Sequence, residues 1–374
     1  MDNGRYVGLI SGTSMDGIDA VAVQLQHAQV QVLAARTTSF STDVIELLDQ
    51  ARSDPDSFPL AAMARLDAML GETFADAALA VITEAGLQPG DFQAIGCHGQ
   101  TLLHKPEGNF PYTLQIGDPW RLAARTGLAV VADFRRADVA LGGQGAPLAP
   151  LLHRALFHNV HEDRLVANLG GIANLTVLPA AGGLSGFDTG PANCFLDLWY
   201  RKHHSGRFDP GGGWAATGRI DADLLASLLD DPYFDRPSPK STGIEYFNPR
   251  WLQERLALHP DIQPADVQAT LTELSARTLA SAVAGLKGLN PARLIVCGGG
   301  VHNRHLITRI EAHLDGLTVE SSRNHGLDPD QVEAVLFAWL AQQRLAMRPI
   351  ATGCVTGARA STLLGAVFQP PEQA

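Results

Sequence analysis

The side chains best suited to chemistry in this chain stand beside glycine-rich turns. Asp188 lies in Gly186-Phe187-Asp188-Thr189-Gly190-Pro191, just before an expected helix with Pro191 at its first position. A carboxylate there would be held rigidly, kept ionised by the helix dipole, and placed to take a proton from a nucleophile. The same pattern also serves as an ordinary cap or Asx-turn. Asp16 and Asp19 flank the turn Gly12-Thr13-Ser14-Met15-Asp16-Gly17-Ile18-Asp19 and could orient Mg2+ or its waters, or simply form the turn. Glu333 stands near a helix start, a position that favours acids for structural reasons alone. His98, Asp133 and Arg136 stand at the ends of apolar runs, where ligands of α/β folds bind.

The glycine loops carry the second signal. Gly12, Thr13, Ser14 and Gly17 expose backbone N–H groups and two hydroxyls, a nest that suits phosphate oxygens. Gly170 and Gly171 offer a second set. Gly298, Gly299 and Gly300, between a strand and a helix, let a flat ring approach the backbone. Three such loops fit one extended ligand bearing phosphates and a base, although a glycine turn in a hairpin is often only a turn. Other glycine chemistries are absent from the sequence: no G-x-x-x-x-G-K-[ST], no G-x-G-x-x-G after a strand, no G-x-S-x-G elbow. Gly142-Gly143-Gln144-Gly145 precedes Ala146-Pro147 and reads as a loop shaped for substrate.

The elements that must position these residues follow from periodicity. Tyr6 to Ser11 and Ala20 to Leu25 read as strands around the first glycine turn. Asp43 and Glu46 resemble a capping box, and Leu60 to Gly86 carries apolar residues at helical spacing. Ala94 to Cys97 and Leu128 to Asp133 are short apolar strands. The pattern then restarts with Arg164 to Asn168, a Leu169-Gly170-Gly171 turn, and Ile172 to Leu178. Residues 205–250, rich in Gly, Pro, Asp and Ser around a brief helix at Ala222 to Leu229, read as a surface insertion. Pro264 to Leu289 is a long helix and Arg293 to Cys297 a strand. A last helix starts at Asp328 (N-cap), Pro329 and Gln331 and runs to about Met347. The same order of elements occurs twice, so the economical fold class is α/β, two similar units meeting at a cleft, with one large α/β domain as the alternative.

Composition agrees with a folded globular chain. The chain has 374 residues, 45% hydrophobic and 18% charged, enough apolar surface to offset the entropy of ordering. Lys plus Arg number 28 and Asp plus Glu 39, a net charge of −11, so the footprint of a nucleic-acid binder is missing. An anionic substrate remains compatible, since backbone donors bind phosphate regardless of net charge. Cys97, Cys194, Cys297 and Cys354 are far apart and read as buried thiols, and His302-x-x-His305 lacks the company of a zinc site. No signal peptide or membrane-spanning segment is expected, which points to the cytoplasm.

Taken together, these motifs resemble the anhydro-N-acetylmuramic acid kinase family. The resemblance rests on Gly8 to Asp19, His98-Gly99-Gln100-Thr101, Asp133-Phe134-Arg135, Gly142 to Pro147, Asn168 to Asn174, Gly186 to Pro191, Cys297 to Gly300 and Glu333-Ala334, in order over nearly the whole chain. It implies two RNase-H-like domains of the actin/hexokinase type with mixed sheets flanked by helices, divided as 1–134 and 135–374, and an active site in the interdomain cleft. It also implies ATP and Mg2+, a homodimer, and a role in peptidoglycan recycling. By the same resemblance, Gly12, Thr13, Ser14, Met15, Asp16, Gly17, Ile18 and Asp19 form the ATP phosphate loop. Gly170, Gly171, Gly298 and Gly299 complete the nucleotide site, and Asp16 and Asp19 hold the metal, directly or through water. Asp188 is the catalytic base, and His98, Asp133, Arg136 and Glu333 face the sugar. Ile244, in Lys240-Ser241-Thr242-Gly243-Ile244-Glu245, stands where a basic residue is expected. A kinase of the same fold acting on a free sugar hydroxyl, and a nucleotide-binding assembly protein, are the competing readings.

Overall fold

The computed structural model describes residues 3–12, 17–26, 29–238 and 240–371. In chain order its strands are β1 (Gly4–Ser11), β2 (Ile18–Gln26), β3 (Gln29–Thr38), β4 (Ala94–Lys105), β5 (Tyr112–Ile116), β6 (Val130–Ala132), β7 (Arg164–Leu169), β8 (Ile172–Leu178), β9 (Ser185–Pro191), β10 (Arg293–Cys297), β11 (Thr318–Ser321) and β12 (Ala366–Phe368). They form two sheets in two compact units: residues 1–152 with 331–374, and residues 153–330.

In the first unit the sheet order is β12-β6-β4-β1-β2-β3, with β5 added to β4. β1, β2 and β3 form an antiparallel meander, whereas β4 runs parallel to β1 and β6 parallel to β4. In the second unit the order is β11-β10-β7-β8-β9; β7, β8 and β9 form the meander, and β10 and β11 run parallel to β7. With the side strand β5 and the added β12 set apart, the first unit gives the same order as the second, 3-2-1-4-5, with the second strand antiparallel to its neighbours. That is the RNase-H-like topology of actin/hexokinase-type proteins, present twice.

Each sheet is closed by helices whose apolar spacing selects them. On Leu60–Glu84, Leu66, Leu70, Phe74, Ala78 and Val81 recur at helical intervals and are fully buried with Val7 and Leu9 of β1. Burial of each large side chain stabilises by about 2 kcal/mol. On the opposite sheet face Gly8 and Gly96 admit the helix Val332–Leu345 at backbone distance: a Cβ at either would run into the carbonyl of Ala334 or Phe337. In the second unit Val267, Leu271, Leu274 and Leu279 of Pro264–Ala284 pack with Leu165 and Ala167 of β7 and Leu294 and Val296 of β10.

Several expectations shift. The 134/135 division differs from the observed one, because the helix Val332–Leu345 seats on β1 and β4, and β12 pairs with β6, returning residues 331–374 to the first unit. β3 was not expected, and β4 continues through His98 to Lys105. The first helix, Thr42–Ser53, is preceded by Ser41 with no side-chain cap, so Asp43 and Glu46 form no capping box. The last long helix starts at Val332; Asp328 instead accepts the N–H of Asp330 in a turn at 3.1 Å. Cys97 and Cys297 are buried, whereas Cys354 is exposed. Among the described residues no helix is long and apolar enough to cross a membrane.

Candidate active site

In the second unit the register aligns Cys297, Asn168, Asn174 and Asp188 in one row across β10, β7, β8 and β9. Gly170 and Gly171 turn the chain between β7 and β8, and Gly298 leaves β10 beside Leu169, so the sheet gathers these glycines with Asp188 at one end. Gly298 has φ +80°, and a Cβ there would run into the Asn168 amide. Gly300 likewise abuts Leu169. The fold thus demands glycine at 298 and 300. It makes no such demand at Gly170, Gly171 or Gly299: a Cβ at Gly170 or Gly171 would meet nothing nearer than 3.5 Å, and one at Gly299 nothing within 4 Å.

Asp188 stands in the middle of β9, not in a turn ahead of a helix; Pro191 closes that strand, and the helix Asn193–His203 begins after it. The N–H groups of Ala192, Asn193 and Cys194 donate to the carbonyls of Gly170 and Gly171 at 2.9–3.1 Å, so that helix end serves the turn rather than Asp188. The Asp188 carboxylate is only part-exposed. Asn174 Nδ2 donates to its Oδ1 at 3.0 Å and the Thr242 N–H to its Oδ2 at 2.9 Å. Burial pushes its pKa up to about 6; the two donors oppose the rise, and the charge of Glu245 adds to it. The helix-dipole expectation is therefore replaced by its opposite. Asp188 is poised near neutrality rather than held firmly ionised. Asn174 Oδ1 and Thr242 Oγ1, on the two donor residues, are buried without a hydrogen-bond partner among the described residues.

Residues 205–250 also depart from a surface insertion. Leu224, Leu228, Tyr233 and Phe247 are in the core of the unit, and Thr242 reaches Asp188 directly. Neither Asn174 nor Thr242 was singled out from the sequence, although each lies within a motif that was. Ile244 is exposed, its side chain 3.8 Å from where a Cβ of Gly171 would sit.

In the first unit Gly12 follows β1 and Asp133 follows β6, and the parallel register of these strands with β4 sets His98, midway along β4, at the same end of the sheet, where Ser11 donates to Gln100 at 2.5 Å. His98 is buried and its pKa is held well below the usual histidine value, by desolvation first and then by Arg135. Its neutral ring donates from Nδ1 to the Gly99 carbonyl at 3.0 Å and accepts the Arg135 Nε–H on Nε2 at 2.9 Å. Arg135 is enclosed enough for desolvation to bring its pKa down to about 10, against the pull of Glu333 and Asp138. Arg136, by contrast, is exposed and 3.7 Å from Asp133. Asp133 adopts the left-handed region at φ +60°, a strained backbone for a residue other than glycine. Arg135, rather than the expected Arg136, is the cation that holds His98.

Glu333 is exposed in the first turn of Val332–Leu345. Ile18 and Asp19 open β2, where the Thr37 hydroxyl donates to Asp19 at 2.6 Å; Gly17 precedes them. Thr13, Ser14, Met15 and Asp16 lie outside the described residues. Among the described residues no three His, Cys, Asp or Glu side chains cluster to hold a metal.

The family model for anhydro-N-acetylmuramic acid kinase matches residues 4–370. The chain belongs to the anhydro-N-acetylmuramic acid kinase family. A relative of that name in Xylella fastidiosa (strain Temecula1) is 48% identical over 365 residues, 97% of this chain and 95% of its own. Another, in Xanthomonas campestris pv. campestris (strain 8004), is 48% identical over 366 residues, 97% of each chain. Among solved structures, the activator of the 2-hydroxyisocaproyl-CoA dehydratase of Clostridium difficile is similar at 13% identity and a TM-score of 0.42, over 93% of this chain and 99% of that one. Membership of the anhydro-N-acetylmuramic acid kinase family makes the chain a kinase, a phosphotransferase.

Proposed function

We propose that the chain hydrolytically opens 1,6-anhydro-N-acetylmuramic acid and phosphorylates its O6 with ATP, giving N-acetylmuramic acid 6-phosphate and ADP in peptidoglycan recycling. The anhydro sugar has no free 6-hydroxyl, because O6 is tied to C1, so a base finds no proton there to remove. Asp188 takes a proton from a water instead. The water oxygen bonds to C1, the C1–O6 bond breaks, and O6 takes the γ-phosphoryl group as ADP leaves. This combines the water activation of an inverting glycosidase with in-line phosphoryl transfer. The observation that carries the reading is Asp188 itself, a part-exposed carboxylate whose raised pKa suits a general base near neutrality.

The nucleotide is assigned to Gly170, Gly171, Gly298 and Gly299 together with the loop from Gly12 to Asp19. Support comes from Gly170, Gly171 and Gly299, where the chain's own packing gives no reason for glycine. Mg2+, which would neutralise charge on the transferring phosphates, is assigned to Asp19 and Asp16. The small donor set fits an ion whose shell is mostly water and phosphate oxygen. Asp133, Arg136 and Glu333 are assigned to the sugar side, and His98 acts there through its bond to Arg135. The reading includes a cytoplasmic homodimer, checked by light scattering.

The decisive experiment is mass spectrometry of products formed from ATP, Mg2+ and the anhydro sugar in 18O-water. The expected product carries one 18O at C1 and phosphate on O6. A phosphorylated product without label would overturn ring hydrolysis in favour of a kinase acting on a free hydroxyl.

A further inference from the structure

β9 is the edge strand of its sheet, so the outward N–H and C=O of its residues lack a neighbouring strand. At Asp188 both groups are taken by one segment. The Asp188 N–H donates to the Lys240 carbonyl at 3.0 Å, and the Tyr233 hydroxyl donates to the Asp188 carbonyl at 2.7 Å. The same segment supplies the Thr242 N–H to carboxylate Oδ2. Backbone and side chain of one residue are thereby gripped together.

The segment is itself tied down. The Lys240 ammonium donates to the carbonyls of Tyr233 and Phe234 at 3.1 and 3.0 Å and lies 4.7 Å from the centre of the Tyr233 ring. It therefore bolts the 233–234 turn to residue 240, the two points that touch the Asp188 backbone. Behind them the buried Asp231 accepts the Tyr233 N–H at 2.9 Å and hydrogen bonds from Tyr246, Trp251 and Arg255 at 2.8–2.9 Å. A hydrogen-bonded charge at the base of an aromatic cluster makes the whole segment costly to displace.

We propose that residues 231–238 and 240–251 form a clamp that sets the position of Asp188, with Lys240 and Tyr233 as its positioning residues. The inference rests on Asp188 being the base; both positioning residues act through its backbone. An in-line reaction at C1 needs the base held within a fraction of an ångström, and misplacement of about 1 Å can cost about 100-fold in rate.

Steady-state kinetics of Lys240→Met, Lys240→Arg and Tyr233→Phe, beside Asp188→Asn, test the clamp. Lys240→Met is expected to lower kcat by roughly 10- to 100-fold while leaving KM for both substrates within about twofold. Lys240→Arg, whose guanidinium also donates to two carbonyls, should recover most of that loss. Tyr233→Phe keeps the ring and removes only the hydroxyl, so a several-fold fall in kcat is expected; this variant decides the matter if Lys240→Met fails to fold. Wild-type kcat in a folded Lys240→Met, or in Tyr233→Phe where that variant decides, overturns the clamp while an inactive Asp188→Asn keeps the base. An active Asp188→Asn removes the base reading instead, and the clamp with it.

Discussion

Asp138 in the first unit and Asp188 in the second are both aspartates whose carboxylate oxygens each accept a hydrogen bond. Asp138 takes the Gly145 N–H at 2.7 Å and the Thr356 hydroxyl at 2.8 Å; Asp188 takes Thr242 and Asn174. Their surroundings differ. Asp138 has no exposed surface, its own carbonyl accepts the Gly143 N–H, and a Cβ at Gly143 would run into its carboxylate. Everything around it belongs to the chain. Asp188 keeps an open face, two buried polar atoms beside it lack partners among the described residues, and Gly171 leaves room for a Cβ. On the proposed reading, a hydrogen-bonded buried carboxylate is a fastener where packing closes over it and a reagent where packing stops short.

That contrast breaks most sharply under Asp188→Asn. The substitution should lower kcat by about 100- to 10,000-fold with ATP binding retained, as calorimetry and single-turnover assays would show. Its melting temperature at pH 8 should not fall. Burial raises the folded-state pKa from the ordinary carboxylate range to about 6, so the protein gives up stability as pH rises through that window, and an uncharged amide escapes the loss. Parent-level turnover would put Asp188 among the fasteners. Asp138→Ala should do the reverse, costing about 3 kcal/mol by stranding the Gly145 N–H and the Thr356 hydroxyl, read as a lowered thermal midpoint.

The glycines sharpen the same distinction at smaller scale. Gly143→Ala should destabilise by about 2 kcal/mol through overpacking against Asp138 and Ala358. Gly171→Ala should shift stability by less than about 0.5 kcal/mol, yet weaken ATP in a binding titration. Equal thermal shifts in the two variants would erase the difference between the regions. The gentlest test is the pH profile of kcat/KM: activity should fall as pH drops below about 6, where Asp188 protonates, and Asp138→Asn should leave that limb in place.

Much of this was legible in the sequence wherever burial and pattern agree. The strand Arg293–Cys297 and the helix Ala222–Leu229 fall where the apolar runs put them. β3 was missed because it is an edge strand with no fully buried residue, so its hydrophobic signal is thin. β9 carries the sequence signature of a turn, because Gly186, Gly190 and Pro191 mimic one. An edge strand tolerates all three. That misreading also hid the true electrostatics of Asp188, since a strand offers no helix dipole. The grip of Lys240, Thr242 and Tyr233 on Asp188 spans about fifty residues of sequence, and no local pattern encodes a contact at that separation.

The close seating of Val332–Leu345 on Gly8 and Gly96 also orders events on the ribosome. Residues 1–152 of the first unit precede the second unit in the sequence, but their sheet cannot bury that face until residues 332–345 have emerged. The second unit is contiguous and has all its strands by residue 321. On a growing chain it can therefore consolidate first, reversing the usual N-terminal-first sequence of domain folding. Until then the nascent β1–β4 sheet presents an uncovered face, a stage at which chaperone dependence should concentrate.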